Sequence, residues 1–355
     1  MALSKATNVE VTGDSWTQAT LPVRMGGLGI RSVSDLAIPC FLASMSASGH
    51  LMGRIIPTLT DVEGLTSWCS ARDEYQRMTR VTNLPVGEAA GRQKSWSEPA
   101  AEVTKEVLLS SANQIHRARL LAACAPHSAA WSQVVPISSL GLHLDSETIR
   151  VAICLRLGTP VSQPHRCRCG GEVDTLGHHG LSCKYSEGRL KRHASLNDVI
   201  KRALASAGVP SVLEPVGLDR GDGRRPDGLT VFPYRDGRSL CWDATCVDTF
   251  GATNLPGCTA KVGAAAEAAE TRKRRKYAQL SERYWFEPLA VETTGVLGPS
   301  SQKFVTELGN RVRACTGESR ETQWLFQRIS LAVARGNAAA VLASGRAIYD
   351  RIGGR

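Results

Sequence analysis

The strongest constraint on the fold is a pair of apolar runs separated by Pro233-Tyr234-Arg235-Asp236-Gly237. Asp-Gly between strand-like runs is a hairpin signal, because both residues tolerate the positive φ that a tight turn between twisted strands requires. The hairpin places Asp227, in Arg224-Arg225-Pro226-Asp227-Gly228, near the start of one strand. Asp243, in Leu240-Cys241-Trp242-Asp243-Ala244-Thr245, falls inside the next. Period-two alternation then puts Cys241, Asp243, Thr245 and Val247 on one face, and Trp242, Ala244 and Cys246 on the other. A mid-strand carboxylate among apolar neighbours is costly to bury without a partner. Two such carboxylates on adjacent strands can share a divalent cation, Mg²⁺ or Mn²⁺, which offsets that cost.

The flanking pattern is α/β. An amphipathic helix is expected over 188–207, with Leu190, Leu196, Ile200 and Leu204 on the apolar stripe and Arg189, Lys191, Arg192, Lys201 and Arg202 mostly off it. A strand over 209–216 carries Glu214. After the hairpin, an alanine-rich helix over 261–283 has Lys273 and Lys276 on its inward stripe and Arg272 and Arg275 beside them. A strand over 286–293 and helices near 302–315 and 321–342 complete a mixed-sheet order. The run Arg272-Lys273-Arg274-Arg275-Lys276 can also be read as a solvated face or an import signal.

Residues 165–183 concentrate a different chemistry. Cys167, Cys169 and Cys183 fall with His178 and His179 in a glycine-rich stretch that has no long apolar run. Such a loop stabilises itself poorly, and a tetrahedral Zn²⁺ would supply the missing folding energy. The expected ligands are Cys167, Cys169, His179 and Cys183, with His178 competing for the histidine place. The remaining cysteines of the eleven, such as Cys40, Cys124, Cys154 and Cys246, read as reduced residues in apolar settings.

Upstream, Leu21-Pro22-Val23-Arg24-Met25-Gly26-Gly27-Leu28-Gly29-Ile30-Arg31-Ser32 reads as a tight turn feeding a helix over 33–56, capped by Ser32 or Ser34. Its glycines match neither phosphate-loop pattern. Further helices are expected over 61–125, one of them near 115–124 with Arg117 and Arg119 exposed, and another after an Asp145 cap and ending at Gly158. Lys and Arg number 43 against 33 Asp and Glu, a formal net charge of +10, which favours a polyanionic partner. With no uninterrupted apolar run long enough for a bilayer and no signal-peptide core, the expectation is an intracellular protein without a membrane partner.

The segment Leu21–Ser32 is similar to the one that follows the polymerase palm in non-LTR retrotransposon reverse transcriptases. No Asp-Asp pair occurs in the sequence, so the resemblance implies a piece that begins at the thumb and does not polymerise. The 188–355 order, with Pro226-Asp227 and then Asp243-Ala244-Thr245, resembles the PD-(D/E)XK restriction-like endonuclease fold, with Thr245 standing where the family has lysine. The resemblance implies that Lys273 or Lys276 supplies that charge from the following helix, and that Asp227 and Asp243, with Glu214, hold the metal. It divides the chain into 1–60 (thumb-like), 61–160 (helical linker), 161–187 (zinc element) and 188–355 (nuclease-like). The implied fold is a mixed α+β and α/β chain, and the implied activity is metal-dependent nicking of DNA, in the nucleus. Arg189, Arg192, Arg224, Arg225, Arg272 and Arg275 would contact DNA or RNA. The alternative is a binding remnant that has lost cleavage.

Overall fold

The computed structural model describes residues 2–56, 58, 61–218 and 225–352, with 345–352 as backbone alone. It divides into two compact units, one of Thr12–Ala112 and one that joins Met1–Val11 to Asn113–Arg355. In chain order the helices are α1 (Ala2–Thr7), α2 (Gly13–Thr20), α3 (Val33–Ile55), α4 (Thr66–Thr79), α5 (Gln93–Ser111), α6 (Gln114–Ala123) and α7 (Ser146–Leu157). They continue with α8 (His178–Ser182), α9 (Glu187–Ser206), α10 (Leu255–Ala260), α11 (Ala264–Lys276), α12 (Pro299–Thr316) and α13 (Glu321–Ile352). The strands are β1 (His165–Arg166), β2 (Glu172–Val173), β3 (Ser211–Leu213), β4 (Gly228–Arg235), β5 (Arg238–Val247) and β6 (Trp285–Glu292).

The Thr12–Ala112 unit is helical, with a core of Leu42, Trp68, Tyr75 and Trp96. The Tyr75 and Trp96 rings meet edge to face at 5.1 Å, and each donates its polar hydrogen to a backbone carbonyl: Tyr75 to Trp96 at 3.0 Å, Trp96 to Ala90 at 2.8 Å. The turn before α3 needs its glycine, since a Cβ on Gly27 would lie 1.9 Å from the Leu21 carbonyl oxygen. Ser32 then caps α3 by accepting from the Asp35 N–H at 3.4 Å. By length and composition α3 is long and apolar enough to cross a membrane. Its apolar residues do not form an uninterrupted run, since Ser, Gly and His fall among them.

The second unit is built on a four-stranded sheet in the order β3-β4-β5-β6, antiparallel except for the parallel β5–β6 pair. A parallel neighbour requires a crossover, and α10 and α11 provide it. The hairpin turn is as tight as Asp-Gly allows, with positive φ at both Asp236 (49°) and Gly237 (71°). On one face Trp242, Leu240 and Leu289 pack with Leu196 of α9, Phe304 of α12 and Phe326 of α13. On the other, Cys241 and Phe286 pack with Tyr277, and Ala290 packs with Ala266 and Ala269 of α11. Helix α9 approaches α13 closely because both contribute glycines: a Cβ on Gly188 would lie 2.5 Å from the Gly336 carbonyl oxygen.

Several elements are shorter than the residue pattern suggests. The helix expected over 261–283 stops at Lys276, where the buried Tyr277 leaves helical geometry and a 3₁₀ turn (Ala278–Glu282) leads into β6. The strand expected over 209–216 ends at Leu213, because Glu214 takes a φ of 49°.

Candidate metal centre and acidic site

The Cys/His element is a two-strand ladder, β1–β2, closed by the short helix α8. Cys167, Cys169, His179 and Cys183 each direct one ligand atom to a common point, all within 4.8 Å of one another. Tetrahedral zinc at Zn–S distances of about 2.3 Å requires sulfurs about 3.8 Å apart, and the Cys167 and Cys183 sulfurs are 3.8 Å apart. Cys169 Sγ and His179 Nε2 are closer, at 3.1 Å. The Gly171 N–H points at the Cys169 sulfur and lowers that thiol to about 7, favouring the thiolate a metal needs. A side chain at Gly171 would collide with the His179 ring at 2.6 Å. The four residues form a Cys₃His set that can hold a metal ion such as zinc.

The competition between the two histidines is resolved by packing. His178 stacks on Phe250 with ring centres 3.8 Å apart, and burial pushes its imidazole down to about 4. It belongs to the core, and His179 to the cluster. The element is tied to α13 through His165, whose Nε2 lies 2.7 Å from the Ser344 carbonyl oxygen.

The acidic pair is assembled from three elements. Gly228 pairs with Trp242 across β4 and β5, and the Asp227 N–H donates to the Trp242 carbonyl at 3.0 Å, so Asp227 stands across from Asp243. Lys273, reaching from α11, donates to Asp243 Oδ2 at 2.8 Å; Lys276 lies 3.9 Å from the same oxygen and donates to the Tyr277 hydroxyl at 2.6 Å. Asp243 is 3% exposed. Burial raises its carboxyl above the usual range, opposed by Lys273 and reinforced by the charge of Asp227. Asp227 is pushed up by burial too, but its hydrogen bond to His193 and the Ala244 N–H, 2.6 Å from Oδ2, bring it below the usual range. Two adjacent carboxylates thus have acidities driven apart.

His193 and Asn197 stand beside the acidic pair; the residue pattern places His193 or Ala194 on the apolar stripe of the helix and gives Asn197 no role. His193 Nε2 is 3.1 Å from Asp227 Oδ1. Asn197, one turn further along α9, accepts the Trp242 indole N–H through Oδ1 at 3.0 Å. Its Nδ2 lies 3.2 Å from His193 Nε2 as a neighbour only, because that nitrogen carries the proton it donates to Asp227. Because Trp242 is fully buried and its N–H needs an acceptor, the Asn197 amide has one orientation. The available signal was a histidine and an asparagine at i, i+4 beside an apolar stripe.

Other expected site residues lie elsewhere. Glu214 is exposed and its carboxylate is engaged by Arg225. Arg192, expected to face nucleic acid, is 1% exposed; it donates to Asn337 Oδ1 at 2.9 Å and to the Leu181 carbonyl at 2.5 Å. Its stem fills the slot left by Gly336, where a Cβ would lie 1.8 Å from Arg192 Cγ, so the assignment is corrected to a structural one. Arg119, expected exposed, is also buried, and burial beside Arg156 lowers its guanidinium to about 9. Arg189, Arg272 and Arg275 are exposed, and Arg224 lies outside the described residues.

No protein-family model matches this chain, and no curated protein matches it either.

Proposed function

We propose that the chain is a retrotransposon-derived, metal-dependent DNA endonuclease that nicks its target. The observation that carries this reading is the Lys273 ammonium 2.8 Å from Asp243, a carboxylate that stands across from Asp227. A restriction-like site needs two carboxylates and one cation, and α11 brings the cation that Thr245 does not provide.

Mg²⁺ is commonly held by one or two protein carboxylates together with substrate phosphates, so Asp227 and Asp243 are a sufficient protein share. When bound, Mg²⁺ or Mn²⁺ would supply Lewis acidity at the scissile phosphate and a more acidic water. Asp227 is presented for this by the Ala244 N–H and by His193, which fix both of its oxygens. Lys273 offers a pre-positioned positive charge where negative charge develops on the phosphorane. The zinc element would hold the preceding loop in shape. The thumb-like segment, Cys/His element and α/β unit occur in the order found in site-specific non-LTR retrotransposon proteins, which supports the proposed origin.

A specific feature favours the second reading, a binding remnant without cleavage. Each carboxylate already has a protein partner, Lys273 on Asp243 and His193 on Asp227, as a chain that never loads a metal would require. Plasmid nicking by the purified protein in Mg²⁺ or Mn²⁺, with Asp227→Asn and Asp243→Asn alongside, separates the two. Metal-dependent nicking that is lost in both variants supports the endonuclease. An intact plasmid that still shifts on a gel supports the remnant.

A further inference from the structure

The β4–β5 hairpin tip gathers three guanidiniums around one carboxylate. Arg235 and Arg238 are directly paired across the turn, so two guanidiniums project side by side. Like charges facing one another across strands destabilise a sheet. Both are held there by one ring: Arg235 Cζ lies 4.7 Å and Arg238 Cζ 5.4 Å from the centroid of Trp285. A third guanidinium, Arg311 of α12, lies 3.9 Å over the Tyr234 ring. Among the described residues one carboxylate, Glu307, serves two of the three, at 3.6 Å from Arg235 and 3.2 Å from Arg311, while Arg238 donates to the neutral Ser281 carbonyl at 3.4 Å. Lys303, one turn earlier on α12, is exposed.

Beside this cluster runs an open groove of about 850 Å³, lined along α12 by Lys303, Thr306, Asn310 and Arg311. Among the described residues that line it, Pro299 and Ala314 are the apolar ones, neither of them the large hydrophobic anchor that a protein partner would use. A guanidinium lying flat on an aromatic ring keeps its N–H edge outward and in one plane, the geometry that suits a phosphate oxygen pair. We propose that the hairpin tip and the outer face of α12 form a surface that takes the phosphate backbone of duplex DNA. It is distinct from the acidic pair: Trp285 packs on the α9, α12 and α13 face of the sheet, whereas Cys241, on the same side of β5 as Asp243, packs against Tyr277. The assignment rests on the nucleic-acid reading proposed above and adds a second place at which the partner is held.

The test is fluorescence anisotropy of the full chain with a 20-bp duplex over a range of salt. Arg235→Gln/Arg238→Gln and Lys303→Glu would be measured against an Arg77→Gln control in the other unit. Removing one cation that neutralises a phosphate lowers the slope of log affinity against log salt by about 0.9. The double variant is therefore expected to fall by about 1.8 in slope and roughly tenfold or more in affinity. Lys303→Glu, on an exposed position, should weaken binding with its thermal transition unchanged, which covers the case of a double variant that fails to fold. Wild-type slope and affinity in both variants would overturn the proposal, as would a loss seen with single-stranded RNA and not with the duplex. Nicking by wild type with variant slopes unchanged sinks only this surface. Altered slopes in a protein that does not nick sink only the catalytic reading.

Discussion

The Cys/His element and the acidic pair are two polar sites in one unit, built in opposite ways. The first draws its four ligands from a 17-residue stretch and leaves three sulfurs and an imidazole converging with little else to hold them. The second draws on α9, the hairpin and α11, and every charge in it already meets a protein group. The difference predicts where a metal matters for folding. A cluster whose only strong mutual partner is a metal depends on it for stability. A carboxylate pair with lysine and histidine partners is stable without one.

Metal removal separates the two sites most sharply. Stripping zinc with a strong chelator, or replacing Cys183 by Ala, should lower the melting temperature by roughly 10 °C, since losing even part of a structural-zinc contribution amounts to several kcal/mol. Calorimetry with metal analysis reads this directly. Withholding Mg²⁺ from the same protein should leave the transition in place. A wild-type transition in the stripped protein would end the contrast.

An effect of comparable size is expected at Asp243. Asp243→Ala leaves Lys273 partly buried opposite a void, and breaking a buried pair from one side costs about 3–5 kcal/mol, whereas Asp243→Asn keeps the volume and should lose roughly half as much. Both variants should be inactive. Urea unfolding beside a nicking assay therefore shows whether stability and activity part company. At equal stability, Lys273→Ala should lower nicking by about 10²-fold, the scale for losing one pre-positioned charge stabiliser. Lys276→Ala should cost under about tenfold, because Lys276 is 3.9 Å from the carboxylate against 2.8 Å for Lys273. Without Lys273, burial raises the Asp243 carboxyl further, so the remaining activity should rise toward higher pH.

The same contrast governs what could be read from the amino-acid order alone. The Cys/His set was legible because its ligands are near neighbours and spacing is their geometry. Asp227 and Asp243 were legible as residues of the two strands that Asp236-Gly237 joins, and Lys273 through the inward stripe of its helix. The facing of the two carboxylates was not, because the turn pairs Arg235 with Arg238 and register shifts between Leu229 and Arg235 bring Gly228 opposite Trp242. The choice between His178 and His179 was not legible, since it turns on Phe250, about seventy residues downstream. Nor was Arg192, whose burial depends on a glycine in α13, more than a hundred residues away. His193 and Asn197 required knowing that α9 crosses the sheet beside Trp242. In each case the deciding partner was distant in sequence and small or apolar in character, and local periodicity carries no record of such a partner.

The finest test of the comparison is the pH dependence contributed by His193. Its hydrogen bond to Asp227 raises the imidazole above its ordinary value, and the same contact helps bring Asp227 below the carboxylate range. A raised histidine stabilises the fold fully below its unfolded value of about 6.5 and loses that contribution as pH rises through the folded value. A depressed aspartate stabilises above its unfolded value of about 3.9 and loses that contribution as pH falls through the folded one. The two windows overlap between roughly pH 4 and 6.5. His193→Gln keeps a hydrogen-bonding group without the charge, so its deficit in melting temperature should be largest near pH 5 to 6 and shrink by pH 8.5. Because the imidazole side chain is 42% exposed, solvent screening limits the effect to a few tenths of a kcal/mol. Calorimetric scans of both proteins across that range resolve it. A deficit independent of pH would mean that His193 acts through packing alone, and that Asp227 is held by the Ala244 N–H without help from charge.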